Sequence, residues 1–131
     1  MSWQAYVDTS LVGSGHVDKG AIISVAGDSV WATSSGFTVQ PAEMKNIVDI
    51  LNAQADVVSK AQADGIHIDG ERYVLARIDG RSLYGRKGRT GICIAKTKQA
   101  VIVAHHGEAQ VAGNATQTVE TLADYLIKAG Y

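Results

Sequence analysis

Four short apolar runs between Gly65 and Ala104 constrain this chain more than any other feature. Ile66 and Ile68 alternate and stop at Asp69-Gly70. Tyr73 to Ile78 stops at Asp79-Gly80, and Ile92–Ala95 is followed by Ala100–Ala104 across Lys96-Thr97-Lys98-Gln99. Asp-Gly pairs suit two-residue hairpin turns, because both central positions of such turns need φ > 0. Consecutive short strands joined by tight turns make an antiparallel meander. In the last two runs apolar side chains fall on both parities, so the sheet requires cover on both faces.

Upstream, Ala21–Val25, Ala26-Gly27-Asp28 and Ser29–Thr33 read as a strand, a turn and a strand. The cover has to come from helices. Val119, Leu122, Ala123, Leu126 and Ile127 recur at i, i+3, i+4, i+7 and i+8, the clearest helical stripe in the chain. Pro41 suits a first helical turn, and Met44, Ile47, Val48 and Leu51 follow at helical spacing. Asn52 to Gly65 is expected to finish that helix and loop out. Ser2 caps a short N-terminal helix limited by Asp8 and Gly13. The fold class is α/β of the α+β type, an antiparallel sheet with helices on both sides.

The length, 131 residues with one proline and 19% charged side chains, fits one domain spanning 1–131. The first residues, Met1 to Asp8, have neither a basic n-region nor an apolar h-region. No apolar run approaches a membrane span, so the expected location is cytoplasmic. A lone cysteine, Cys93, excludes an intramolecular disulfide and a Cys-rich zinc site. Its apolar setting reads as core.

Charge is uneven. Of 12 basic side chains, Arg77, Arg81, Arg86, Lys87, Arg89, Lys96 and Lys98 lie within one stretch whose only acid is Asp79. The stretch is either an anion-seeking surface or a sheet edge kept soluble by charge. The aromatic residues are uneven too. Four of eight, Trp3, Tyr6, Tyr125 and Tyr131, sit near a terminus, and Trp31 is a fifth candidate for one cluster. At ~100° per residue Tyr125 falls well off the C-terminal stripe, on the solvent side. Trp3 and Tyr6 share a helix face. Such rings either seal the terminal helices onto the sheet or form a shelf for a polyproline II peptide, whose extended form loses little entropy on binding.

Other patterns fail. Gly80 to Gly85 has phosphate-loop glycine spacing, but Arg86-Lys87 follows where Lys and then Ser or Thr are needed, and no helix is expected after it. Gly13-Ser14-Gly15 lacks the rest of a dinucleotide motif. His105 and His106 point to opposite faces of a strand, which argues against one metal, and read as exposed polar residues. No carboxylate pair or triad stands out.

Several segments resemble profilins, the fungal ones in particular: Met1-Ser2-Trp3-Gln4-Ala5-Tyr6-Val7-Asp8, Gly27-Asp28-Ser29-Val30-Trp31-Ala32, Asp79 to Arg86, Lys96-Thr97-Lys98-Gln99, Leu122 to Ile127 and Gly130-Tyr131. They span the chain in order. The resemblance implies a central antiparallel sheet with the N- and C-terminal helices on one face and shorter helices on the other. It implies a cytoskeleton-associated, non-enzymatic regulator of actin polymerisation without cofactor or metal. Its partners would be monomeric actin in a 1:1 complex, proline-rich proteins such as formins, and phosphatidylinositol 4,5-bisphosphate at the membrane surface, with no nucleic acid.

By the same resemblance, Trp3, Tyr6, Trp31, Tyr125 and Tyr131 would bind proline peptides. Arg72, Arg77, Arg81, Lys96, Gly113, Thr116, Gln117 and Thr121 would bind actin. Arg77, Arg81, Arg86 and Lys87 would bind phosphoinositides, since several cations can share a multivalent phosphate. Residues 52–65 receive no role. Two rivals stand beside this expectation: a phosphoinositide-binding membrane-surface module without actin activity, and a small hydrolase.

Overall fold

A computed structural model describes residues 2–131. Seven strands form one antiparallel sheet in the order β2-β1-β7-β6-β5-β4-β3. They are β1 (Lys19–Ser24), β2 (Val30–Thr33), β3 (Ile66–Ile68), β4 (Glu71–Asp79), β5 (Ser82–Lys87), β6 (Thr90–Lys96) and β7 (Ala100–His106). The meander read from Gly65 onward is present, and the β1–β2 hairpin joins it through β7 with Ile22 opposite Ile102. Asp69 and Gly70 both take positive φ, 53° and 76°, as their two-residue turn demands.

The double-parity apolar runs divide the core in two. Cys93, Ala95, Ala100, Ile102 and Ala104 face one side, and Ile92, Ile94, Val101 and Val103 face the other. The first side is rich in small residues, which lets helices approach the sheet closely. It is covered by α4 (Ala112–Lys128), through Ala115, Val119, Leu122, Ala123 and Leu126, and by the N-terminal helix, through Tyr6, Val7 and Leu11. The large β-branched side packs under α2 (Pro41–Leu51) and α3 (Ala55–Asp64). Glu43 pins α2 to the β3–β4 turn. Its carboxylate accepts the backbone N–H groups of Gln40, Asp69 and Gly70 at 2.8–2.9 Å.

Four expectations need correction. The N-terminal helix, expected to be limited by Asp8 and Gly13, passes Asp8 and ends around Gly13, and it is not a regular α-helix. Ser2 caps it, accepting the Ala5 N–H at 3.1 Å, and it runs as α1 (Trp3–Ala5), a π-helical stretch (Tyr6–Leu11) and a 3₁₀ turn (Val12–Ser14). Residues 52–65 hold a second helix, α3, after a break at Ala53 (φ 59°). Only Ala61 of α3 is buried, so its apolar signal is faint. β5 lies where no strand was expected. Leu83 and Tyr84 are its only large apolar residues, and hydrogen bonds to β4 and β6 on both edges hold it. His105 and His106 are buried rather than exposed. They do take opposite faces: His105 Nδ1 lies 2.6 Å from Asp18 Oδ1 and packs against Tyr73, while His106 abuts the Gly91 backbone.

Candidate functional site

The terminal rings meet. Trp3 lies at the centre, with ring centroids 4.9 Å from Trp31, 5.3 Å from Tyr131 and 5.8 Å from Tyr6. Tyr6 continues the set to Tyr125 at 6.0 Å. Trp31, Tyr125 and Tyr131 are 37%, 54% and 42% exposed, whereas Tyr6 is 6% exposed and forms the floor. These separations fall within the range of favourable tilted aromatic pairs, so each ring helps to hold its neighbour. Burial pushes the Tyr6 phenol above its ordinary pKa, and neighbouring Tyr125 adds to the shift.

Backbone and polar contacts from outside the cluster set its shape. Gln4 Nε2 donates to Asp8 Oδ1 at 3.0 Å and to the Thr33 carbonyl at 2.9 Å, fastening the N-terminal helix to β2. That places Trp3 beside Trp31. The Tyr131 carbonyl accepts the Gln99 N–H and the Thr97 hydroxyl at 2.5 and 2.9 Å, which brings the Tyr131 ring back over Trp3. Sequence reasoning missed Gln4 and Thr97, since neither belongs to an apolar or aromatic pattern.

The cationic stretch behaves differently. Arg81 lies 2.7 Å from Asp124 and 3.0 Å from Glu120. These two acids stand one turn apart on the edge of α4, and hydrogen bonding to Asp124 first, then Glu120, raises the guanidinium pKa further. Glu120 also accepts from the Ser82 and Tyr84 hydroxyls. Arg77 lies 3.5 Å from Asp79 and sits over the Tyr84 ring at 4.7 Å. Lys87 pairs with Glu71. Within residues 77–98, Arg86, Arg89 and Lys98 stay exposed without a carboxylate partner among the described residues, while folding brings acids from elsewhere in the chain to Lys87 and, as a pair on α4, to Arg81. An i,i+4 acidic pair off the buried stripe of α4 is the sequence signal that could have found it.

Comparison with known proteins decides the family. A family model described as Profilin matches residues 1–131. The chain belongs to the profilin family. The profilin of Saccharomyces cerevisiae is 49% identical over 131 residues, and that of Schizosaccharomyces pombe 43%, each aligned over the whole of both chains. Among solved structures, Acanthamoeba castellanii profilin II superposes with a TM-score of 0.92 at 42% identity, covering 99% of this chain and 100% of that one. Mouse profilin IIa in complex with a double repeat from the FH1 domain of mDia1 covers all of both chains, with a TM-score of 0.78 at 18% identity, a likeness of fold alone.

On this profilin fold the residues named for actin do not form one patch. Arg77, Arg81 and Thr116 lie along the β4–β5 strands and the adjoining edge of α4, with Thr116 Oγ1 3.4 Å from Cys93 Sγ. Gln117 and Thr121 line a groove on the other flank of α4, beside Tyr6 and Tyr125. Arg72 Nε donates to the Asp64 carbonyl at 2.6 Å, where a cation suits the C-terminus of α3. Lys96 Nζ donates to Asn52 Oδ1 at 3.1 Å, and Gly113 is exposed in the first turn of α4. Of the four cations named for phosphoinositides, Arg77, Arg81 and Lys87 have carboxylate partners, and Arg86 is exposed. Burial raises the Cys93 thiol pKa, consistent with its place in the core.

Proposed function

We propose that this profilin-family chain, taken as one domain over residues 1–131, is a cytoplasmic, non-catalytic adaptor that binds monomeric actin and proline-rich segments on separate surfaces. The observation that carries the reading is the contiguous ring cluster of Trp3, Tyr6, Trp31, Tyr125 and Tyr131, open to solvent along four of its members. Pyrrolidine rings can stack on these faces, and indole N–H and phenol groups can donate to ligand carbonyls that no backbone partner uses.

The actin surface is assigned to Arg77 and Arg81, the α4 edge at Thr116 and the first turn of α4 at Gly113, with Arg72 and Lys96 at its ends; Gln117 and Thr121, also named for actin, line the groove beside Tyr6 and Tyr125 and are left out of it. Holding actin on one surface while the rings engage a proline tract raises the local actin concentration beside that tract. Phosphoinositide binding at Arg77, Arg81, Arg86 and Lys87 is subordinate, because a headgroup has to displace carboxylates already in place on three of them.

A polyproline resin loaded with the protein and then washed with monomeric actin tests the adaptor directly. Actin is expected to be retained only when the protein is present. Retention of the protein without actin would overturn the two-surface reading.

A further inference from the structure

Beyond the ring cluster lies a groove of about 700 Å³ between the N-terminal helix and α4. It begins at Tyr6 and Tyr125, so it is continuous with the shelf, and it runs along α4 towards Asn114. Its chemistry changes along the way. The shelf offers chiefly flat faces and N–H or O–H donors, which suit proline, a residue with a carbonyl and no N–H. The groove offers the Asn114 and Gln117 amides, the Ser10 and Thr121 hydroxyls and the His16 imidazole. Each amide carries both an acceptor and donors. Thr118 turns its hydroxyl inward, donating to the Asn114 carbonyl at 2.9 Å. No Lys, Arg, Asp or Glu lines the groove among the described residues.

We infer that this groove binds the neutral, non-proline residues flanking a proline tract, and so selects among proline-rich ligands by what adjoins their prolines. The inference rests on the proline-peptide reading of the shelf. Residues carrying an N–H need acceptors, which the groove amides supply. A charged flank would lose water to a groove that offers no counter-charge. The reach follows from geometry. Tyr125 and Asn114 are separated by about 16 Å at ~1.5 Å per helical residue. An extended ligand rising about 3.1 Å per residue spans that with roughly five residues.

The test titrates seven peptides into the protein, following tryptophan fluorescence. One is a six-proline core. The others extend it by five residues, at either end, with Gly-Ser repeats, with prolines or with glutamates. The Gly-Ser extension at one end is expected to tighten binding about fivefold over the core, the worth of one net hydrogen bond. The proline and glutamate extensions are expected to add less. Asn114→Ala, at an exposed position outside the shelf, should cancel the Gly-Ser gain and leave the core's affinity unchanged. Asn114→Lys should transfer the preference to the glutamate extension. Equal gains from Gly-Ser and proline extensions, or a Gly-Ser gain that survives Asn114→Ala, would overturn the groove assignment while leaving the shelf intact. If the six-proline core itself fails to bind, the shelf reading falls, and the groove loses its ligand with it.

Discussion

The ring shelf and the cationic strip are both clusters of side chains at the surface, yet folding treats them in opposite ways. The shelf gathers residues from both ends of the chain, and its members contact one another while keeping their faces open. The strip gathers residues that are already neighbours in sequence, and folding delivers carboxylates to them: Glu120 and Asp124 to Arg81, and Glu71 to Lys87. A cluster of rings survives folding as a recognition surface because rings lack a competing partner of opposite sign. A cluster of charges is a recognition surface only to the extent that its counter-charges lie outside the protein. The strip's remaining free character sits on Arg86, Arg89 and Lys98, exposed and without a carboxylate partner among the described residues, and on Arg77, whose partner Asp79 is itself exposed.

The largest expected effect breaks the shelf at its centre. Trp3→Ala removes the ring that contacts Trp31, Tyr131 and Tyr6, and should weaken polyproline binding by about 1.5–3 kcal/mol, the value of one large buried side chain. Calorimetric titration with a proline peptide measures it, and actin affinity should be nearly unchanged. Comparable losses of both would mean that shelf and strip are not independent surfaces.

The next effect sharpens the account of the strip. Glu120→Ala strips Arg81, Ser82 and Tyr84 of a shared, partly buried acceptor. Thermal unfolding should show a loss of about 1–2 kcal/mol. The same variant frees Arg81 on one side, so its binding to anionic vesicles at low salt should increase. Vesicle binding that stays constant would show that the Glu120 pairing does not hold Arg81 back from external anions.

Much of this contrast was legible in the sequence on the shelf side and little on the strip side, for a physical reason. Tyr125's exposure follows from its angle on a regular helix, and Trp3 and Tyr6 share a face by simple spacing, so local periodicity sufficed. The closing contacts, Gln4 to Thr33 and Thr97 to Tyr131, depend on which strand neighbours which helix. The pairing of Arg81 with Glu120 spans 39 residues and needs the crossing of α4 over the sheet. β5 escaped notice because its place is secured by neighbours on both edges rather than by its own composition. α3 escaped because one buried alanine leaves almost no stripe. His105 and His106 looked exposed because polar residues at a strand end usually are. Here β1 pairs with β7 as far as His105 and β6 as far as His106, so the strand end lies inside the sheet rather than beyond it.

A smaller effect is expected where the strip is most open. Arg77→Glu should weaken actin binding by up to about 1 kcal/mol, roughly fivefold, because an exposed cation contributes little once screened. Its mark should be greatest at low salt and should fade as ionic strength rises. Arg77→Glu with unchanged affinity at every salt concentration would remove this residue from the actin surface.

The smallest effect concerns the end of the strip, where His106 is buried against Gly91. Burial lowers its pKa below the ordinary value near 6.5, outweighing the Gly107 backbone and Asp18, which push the other way, and nearby Arg86 adds to the fall. The sign follows from proton counting. Between the lowered folded value and 6.5, the unfolded chain holds a proton that the folded chain does not, so stability rises with pH through that window. The contribution is complete above about pH 6.5 and is lost as the pH falls below it. Replacing the ring with an uncharged side chain, His106→Gln, should therefore flatten the fall in melting temperature between pH 7 and pH 5, whatever it does to stability at pH 7. Shelf variants such as Tyr131→Ala should leave that slope as it is. Equal slopes for the wild type and His106→Gln would place the acid sensitivity elsewhere, and would leave Arg86 without a titrating neighbour at this end of the sheet.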